Sequence, residues 1–107
     1  MEDSIIGTWN WSYSFGGFGD DTITPAIVGY SKRLEITRSH FREFINDSIV
    51  YESEYKIEVR SDTFFDTNRY IVFPLRFDYA IKVDCKELIL YDIHWFDSYD
   101  QHFVREK

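Results

Sequence analysis

The chain has 107 residues, room for one domain over 1–107. It carries 12 Lys and Arg against 19 Asp and Glu, a formal charge of −7, which excludes a general nucleic-acid binder, since such proteins cluster cations to displace counterions from phosphate. Aromatic residues make up 20% and Cys occurs once, which excludes a disordered chain and a disulfide scaffold. No apolar run approaches the ~20 residues that span a bilayer as a helix. The opening Met1 to Ile6 has neither the basic nor the apolar region of a signal peptide, so a cytoplasmic location is expected, or a secreted or periplasmic one if a leader has been removed.

Alternation with a period of two dominates the chain. From Ile5 the odd positions read Ile5, Gly7, Trp9, Trp11, Tyr13 and Phe15, and the even ones are mostly polar, which predicts a strand with one buried face. Residues 16–29 hold four of the five glycines and predict a long connection, with a short helical turn capped by Thr24 and opened by Pro25. Tyr30, Leu34 and Ile36 form the apolar face of a second strand, which Lys32 interrupts. Phe41 to Ile45 is a third strand, followed by a turn at Asn46–Asp47–Ser48. Ile49, Tyr51, Tyr55 and Ile57 mark a fourth, and Arg60–Ser61–Asp62 predicts a turn. Residues 63–73 make two short strands or one broken strand around Asp66–Thr67–Asn68. Leu75, Phe77, Tyr79, Ile81 and Val83 alternate with polar residues, and Asp84–Cys85–Lys86 is a tight turn. Glu87 to Trp95 and Asp100 to Lys107 complete the set. A bulge near Leu90 would reconcile the two apolar parities of the segment before Trp95. About eight short strands joined by hairpins imply an antiparallel sheet, and closure into an up-and-down barrel removes its edges.

Gly7–Thr8–Trp9 on the first strand resembles the signature of lipocalins and the wider calycin group. The segments Thr22–Ile23–Thr24–Pro25 and Gly29–Tyr30–Ser31–Lys32, and Arg105 on the last strand, are similar to small bacterial lipocalin-like proteins. The resemblance spans nearly the whole chain in strand order. It implies an all-β, eight-stranded antiparallel barrel with Arg105 packed over Trp9 at the closed end. A guanidinium stacked on an indole contributes about 1 kcal/mol. It also implies a non-catalytic binder of a small hydrophobic molecule held in the barrel interior, its pocket lying between the barrel mouth and the Phe15 to Val28 loop.

The residues themselves offer little chemistry. Asp92, His94, Asp97, Asp100 and His102 share a short stretch, and His94 and His102 would be cross-strand neighbours around a turn near Ser98. Such a set could hold zinc, but a solvated polar strand face is the preferred reading, and no metal or cofactor is expected. Cys85 lies between Asp84 and Lys86 with no His nearby, so no activated nucleophile is expected. Gly16–Gly17–Phe18–Gly19 precedes two acids, which would repel phosphate. No catalytic constellation is found. Trp11, Tyr13, Phe15, Tyr51, Tyr55, Phe77 and Tyr79 are the expected ligand-lining residues, with Tyr13, Phe15 and Phe18 flanking an open mouth. A packed aromatic interior is the competing expectation. In that case the acidic exterior makes the protein an interaction module, such as an immunity or inhibitor protein that neutralises a basic partner.

Overall fold

The computed structural model describes residues 5–16, 21–64, 67–76, 78–92 and 99–106. They form β1 (Gly7–Gly16), β2 (Asp21–Ile23), α1 (Pro25–Val28), β3 (Lys32–Ile36), β4 (His40–Ile45) and β5 (Ser48–Glu54). After these come β6 (Lys56–Phe64), β7 (Thr67–Val72), β8 (Tyr79–Val83), β9 (Glu87–Asp92) and β10 (Tyr99–Arg105). All pairings are antiparallel, in the order β5-β4-β3-β1-β10-β9-β8-β7-β6, with β2 paired to β1 off this path. The all-β antiparallel class is therefore as expected, in a curled, half-barrel sheet. The described sheet path has nine strands, one more than the sequence suggests, because the long segment around Tyr55 splits in two.

The curl follows from the register. In one direction the ladder leads from Gly7 through Ile36 and Phe41 to Ser53. In the other it leads from Phe15 through Asp100, Tyr91, Ala80 and Tyr70 to Glu58. Ser53 and Glu58 are close in the chain, yet they align with opposite ends of β1. A sheet staggered in this way must wrap around its own concave face.

That concave face is the core. Trp9, Leu34, Phe41, Ile71, Leu88 and Phe103 meet there with almost no exposure, so strands from both halves of the sheet share one cluster. Phe73 joins the halves, lying edge-on to Phe41 with ring centroids 4.9 Å apart. A buried Phe of this kind removes 150–250 Å² from water, and such an aromatic pair adds about 1 kcal/mol beyond burial. Ile89, Tyr91, Tyr70 and Ala80 form a smaller cluster, on the opposite side of β9 from Leu88 and Leu90.

Several local expectations change. Arg60 to Asp62 is not a turn; β6 runs through it. Arg60 pairs with Glu58 and Asp78 and covers the Tyr70 ring at 4.2 Å, so its charge lies on a strand face rather than in a turn. Leu75 does not begin a strand: it sits in a bend and is 95% exposed. The ladder between β9 and β10 is regular through Leu90, while a bulge falls in β1 between Trp11 and Tyr13. Thr24 caps α1 through its side-chain oxygen, with Pro25 in the first turn, and Gly29 ends it at φ 82°. The Asp84 carboxylate accepts from the amides of Lys86 and Glu87 at 2.8 and 2.7 Å, closing the expected turn.

Candidate functional site

The two ends of β1 are built differently. At one end, Gly7 has φ 145° and no side chain, and the Arg105 guanidinium occupies the vacant space. A β-carbon on residue 7 would lie 2.7 Å from Arg105 Nη1. Arg105 donates to the carbonyls of Ile6 at 2.9 Å and Cys85 at 3.0 Å, and its guanidinium stacks 4.2 Å from the Trp9 ring. The Trp9 indole donates to the Ile5 carbonyl at 2.9 Å. This end is filled by side chains.

Beyond the bulge the facing of β1 inverts. Trp11 and Ser14 share the concave face, and the Trp11 indole donates to the Ser14 hydroxyl at 3.0 Å. Tyr13 turns to the other face, where it stacks on His102 at 4.2 Å and 9°. Phe15 opposes Asp100 on that same face and is 43% exposed. Tyr13 and Phe15 thus point away from the interior they were expected to line, because one extra residue reverses the alternation downstream of it.

A cleft of about 360 Å³ opens at this second end. Its floor is the concave face of β1, β3, β9 and β10: Trp11, Ser14, Lys32, Asp92, Tyr99 and Gln101. Ile23, Val28 and Tyr30 close it from the side, held there by the β2–α1 excursion between β1 and β3. Tyr30 stacks on Trp11 with centroids 5.9 Å apart and planes 21° apart. Lys32 Nζ lies 5.3 Å from the Trp11 ring centre and donates to Gln101 Oε1 at 3.0 Å.

Behind Lys32 a chain of charge runs into the interior. Glu43 lies 3.8 Å from Lys32 Nζ and 3.1 Å from Arg76 Nη1, so two cations share one carboxylate. Arg76 covers the Tyr51 ring at 3.9 Å. The Tyr51 hydroxyl is buried with no hydrogen-bond partner among the described residues. Burial, with Arg76 adding to it, pushes the Lys32 ammonium below its ordinary range against the opposing pull of Glu43. Burial also pushes the Tyr79 hydroxyl up.

Among the described residues proposed from sequence to line a site, only Trp11 borders this cleft. Tyr51 and Tyr79 pack edge-on against Phe73 in the core. Tyr55 donates to the Thr37 carbonyl at 2.6 Å and borders a separate depression of about 410 Å³, whose polar members Glu54 and Lys56 are both exposed. Phe77 and His94 lie outside the described residues, as do Asp97 and the Gly17 to Asp20 loop. Among the described residues no three His, Cys, Asp or Glu side chains form a metal-binding group, and no helix is long and apolar enough to cross a membrane. Cys85 is exposed in its turn. Sequence reasoning missed Lys32, Gln101, Glu43 and Arg76. Only Lys32 left a signal, as a charge inside an apolar alternation.

No family model matches the sequence, and no curated protein or solved structure matches it.

Proposed function

We propose that the chain is a lipocalin-like, eight-stranded up-and-down barrel that binds one small, largely apolar molecule without transforming it. The observation that carries this reading is the cleft at the second end of β1. Its volume of about 360 Å³ lies at the lower end of the range for small-molecule sites, and it joins an aromatic wall to a few polar groups. The seat is the mouth rather than the interior, since the closed half of the concave face is packed with side chains.

Two features support the barrel assignment. Counting the segment Ser48–Phe64, interrupted only at Tyr55, as one ribbon gives eight, with its first half paired to β4 and its second to β7. Gly7, Trp9 and Arg105 interlock in the way the resemblance implies.

The test uses N-phenyl-1-naphthylamine, a neutral aromatic probe followed by its own emission. Saturable one-to-one binding is expected in the wild type. Val28→Trp, which fills the cleft from α1, should weaken it at least tenfold. Unchanged binding by that variant, or none by the wild type, overturns the reading.

A further inference from the structure

We propose that the cleft selects an anionic ligand: a small planar molecule with one carboxylate or sulfonate, its acid group on Lys32 Nζ and its ring against Trp11 and Tyr30. This rests on the binding reading above and adds the chemistry of the ligand.

The argument starts from the charges. Lys32 has three N–H donors. Among the described residues its one direct hydrogen bond is to the neutral Gln101 amide, at 3.0 Å. Its only ion-pair partner among the described residues, Glu43, stands off at 3.8 Å and is engaged more closely by Arg76 at 3.1 Å. The two cations share the one Glu43 carboxylate, so Lys32 keeps N–H donors unspent where the side chains of Lys32 and Glu43 are only 16% and 13% exposed. Poorly hydrated charge of this kind is costly until a counter-charge arrives. Asp92, on the same floor, is not without interactions of its own. An incoming anion would take up the remaining ammonium donor capacity.

The aromatic wall sets the rest of the ligand. Trp11 and Tyr30 lie nearly parallel, and Lys32 stands beside the same indole. A planar ring joined to an acid group would therefore contact both. The Gln101 amide keeps Lys32 at the floor by its hydrogen bond and is a positioning residue.

The preference is also set against the protein's own field. With a charge of −7 the exterior repels small anions, so selection has to come from local contact rather than from steering.

The experiment compares 8-anilinonaphthalene-1-sulfonate with its neutral counterpart N-phenyl-1-naphthylamine. A charge-assisted hydrogen bond predicts that the wild type binds the sulfonate about ten- to a hundredfold more tightly. Lys32→Met should abolish that preference while leaving the neutral probe within about threefold, and Lys32→Arg should retain most of it. In the wild type, the sulfonate should shift the Gln101 side-chain amide and Trp11 indole resonances. Equal binding of the two probes overturns the inference and leaves the cleft reading intact, as does a preference that survives Lys32→Met. If Lys32→Met loses the neutral probe as well, the resonances decide: an unmoved Gln101 amide overturns the inference. Failure of both probes to bind the wild type overturns the cleft reading itself.

Discussion

Replacing Gly7 by alanine tests how the closed end of the sheet is held. The added methyl carbon meets Arg105 Nη1 at 2.7 Å, and the backbone at φ 145° is one that residues with a β-carbon rarely adopt. Backbone strain of that kind costs about 1–3 kcal/mol. Moving the guanidinium weakens its charge-assisted bond to the Ile6 carbonyl, about 1.5–3 kcal/mol, and part of its stacking on Trp9. Arg105 is only partly buried, so the lower half of these ranges applies, and the total is roughly 3–4 kcal/mol. For a domain of this size that is a fall in Tm of roughly 12–18 °C. The assay is urea unfolding followed by tryptophan emission, run as a double-mutant cycle with Arg105→Ala. Removing Arg105 removes the clash, so Gly7→Ala should then cost only the strain, about 1–2 kcal/mol. A cost for Gly7→Ala that is the same with and without Arg105, or below about 1 kcal/mol, refutes the interlock.

Two further outcomes concern pH. Hydrogen bonds from the Lys86 and Glu87 amides hold the Asp84 carboxyl below its ordinary range, so its stabilisation is present above pH 3.8 and is lost as pH falls through the lowered folded value. Asp84→Ala should lower stability at neutral pH and make the acid limb of the stability profile shallower; an unchanged limb would contradict this. Burial raises the Tyr79 hydroxyl, so the neutral phenol favours the fold below pH 10.0, and that contribution is lost as pH rises through the raised folded value. Tyr79→Phe should lessen the alkaline loss of stability, measured as Tm between pH 9 and 11. Lys32 acts in the opposite sense near the same pH, since its lowered ammonium is relieved on losing a proton, so the comparison is of variant with wild type at each pH.

The sequence made the strand framework legible because alternation reports which face is buried, residue by residue. Trp9, Leu34 and Ile81 could be placed in this way, whereas Leu88 could not, because its segment carries apolar residues at both parities. The Thr24–Pro25 cap was legible because it depends on neighbouring residues alone. The bulge after Trp11 was not, because neither Gly nor Pro marks it and the alternation continues past it; Tyr13 and Phe15 were misplaced as a result. Arg60 to Asp62 looked like a turn because three polar residues run together, while Arg60 meets its partners as far along the chain as Asp78. The candidate site was the least legible part. Lys32, Glu43, Arg76 and Gln101 converge only after the sheet curls, and contacts such as Lys32 to Gln101, 69 positions apart, leave no local pattern.

The pairing of β1 with β10 has a kinetic consequence. Strands β3 to β5 and β7 to β9 can zip as local hairpins, each closing a short loop. The edge of β1 away from β2 and β3 must wait for a strand that begins some 80 positions later, at Tyr99, and the chain entropy of that long closure is met before its contacts repay it. Until then Trp9 and Trp11 lack their Phe103 neighbour, and the edge of β1 stays open to other chains. The stacking of Arg105 on Trp9 therefore belongs to the end of the folding reaction, and the indole emission of Trp9 should report its last step.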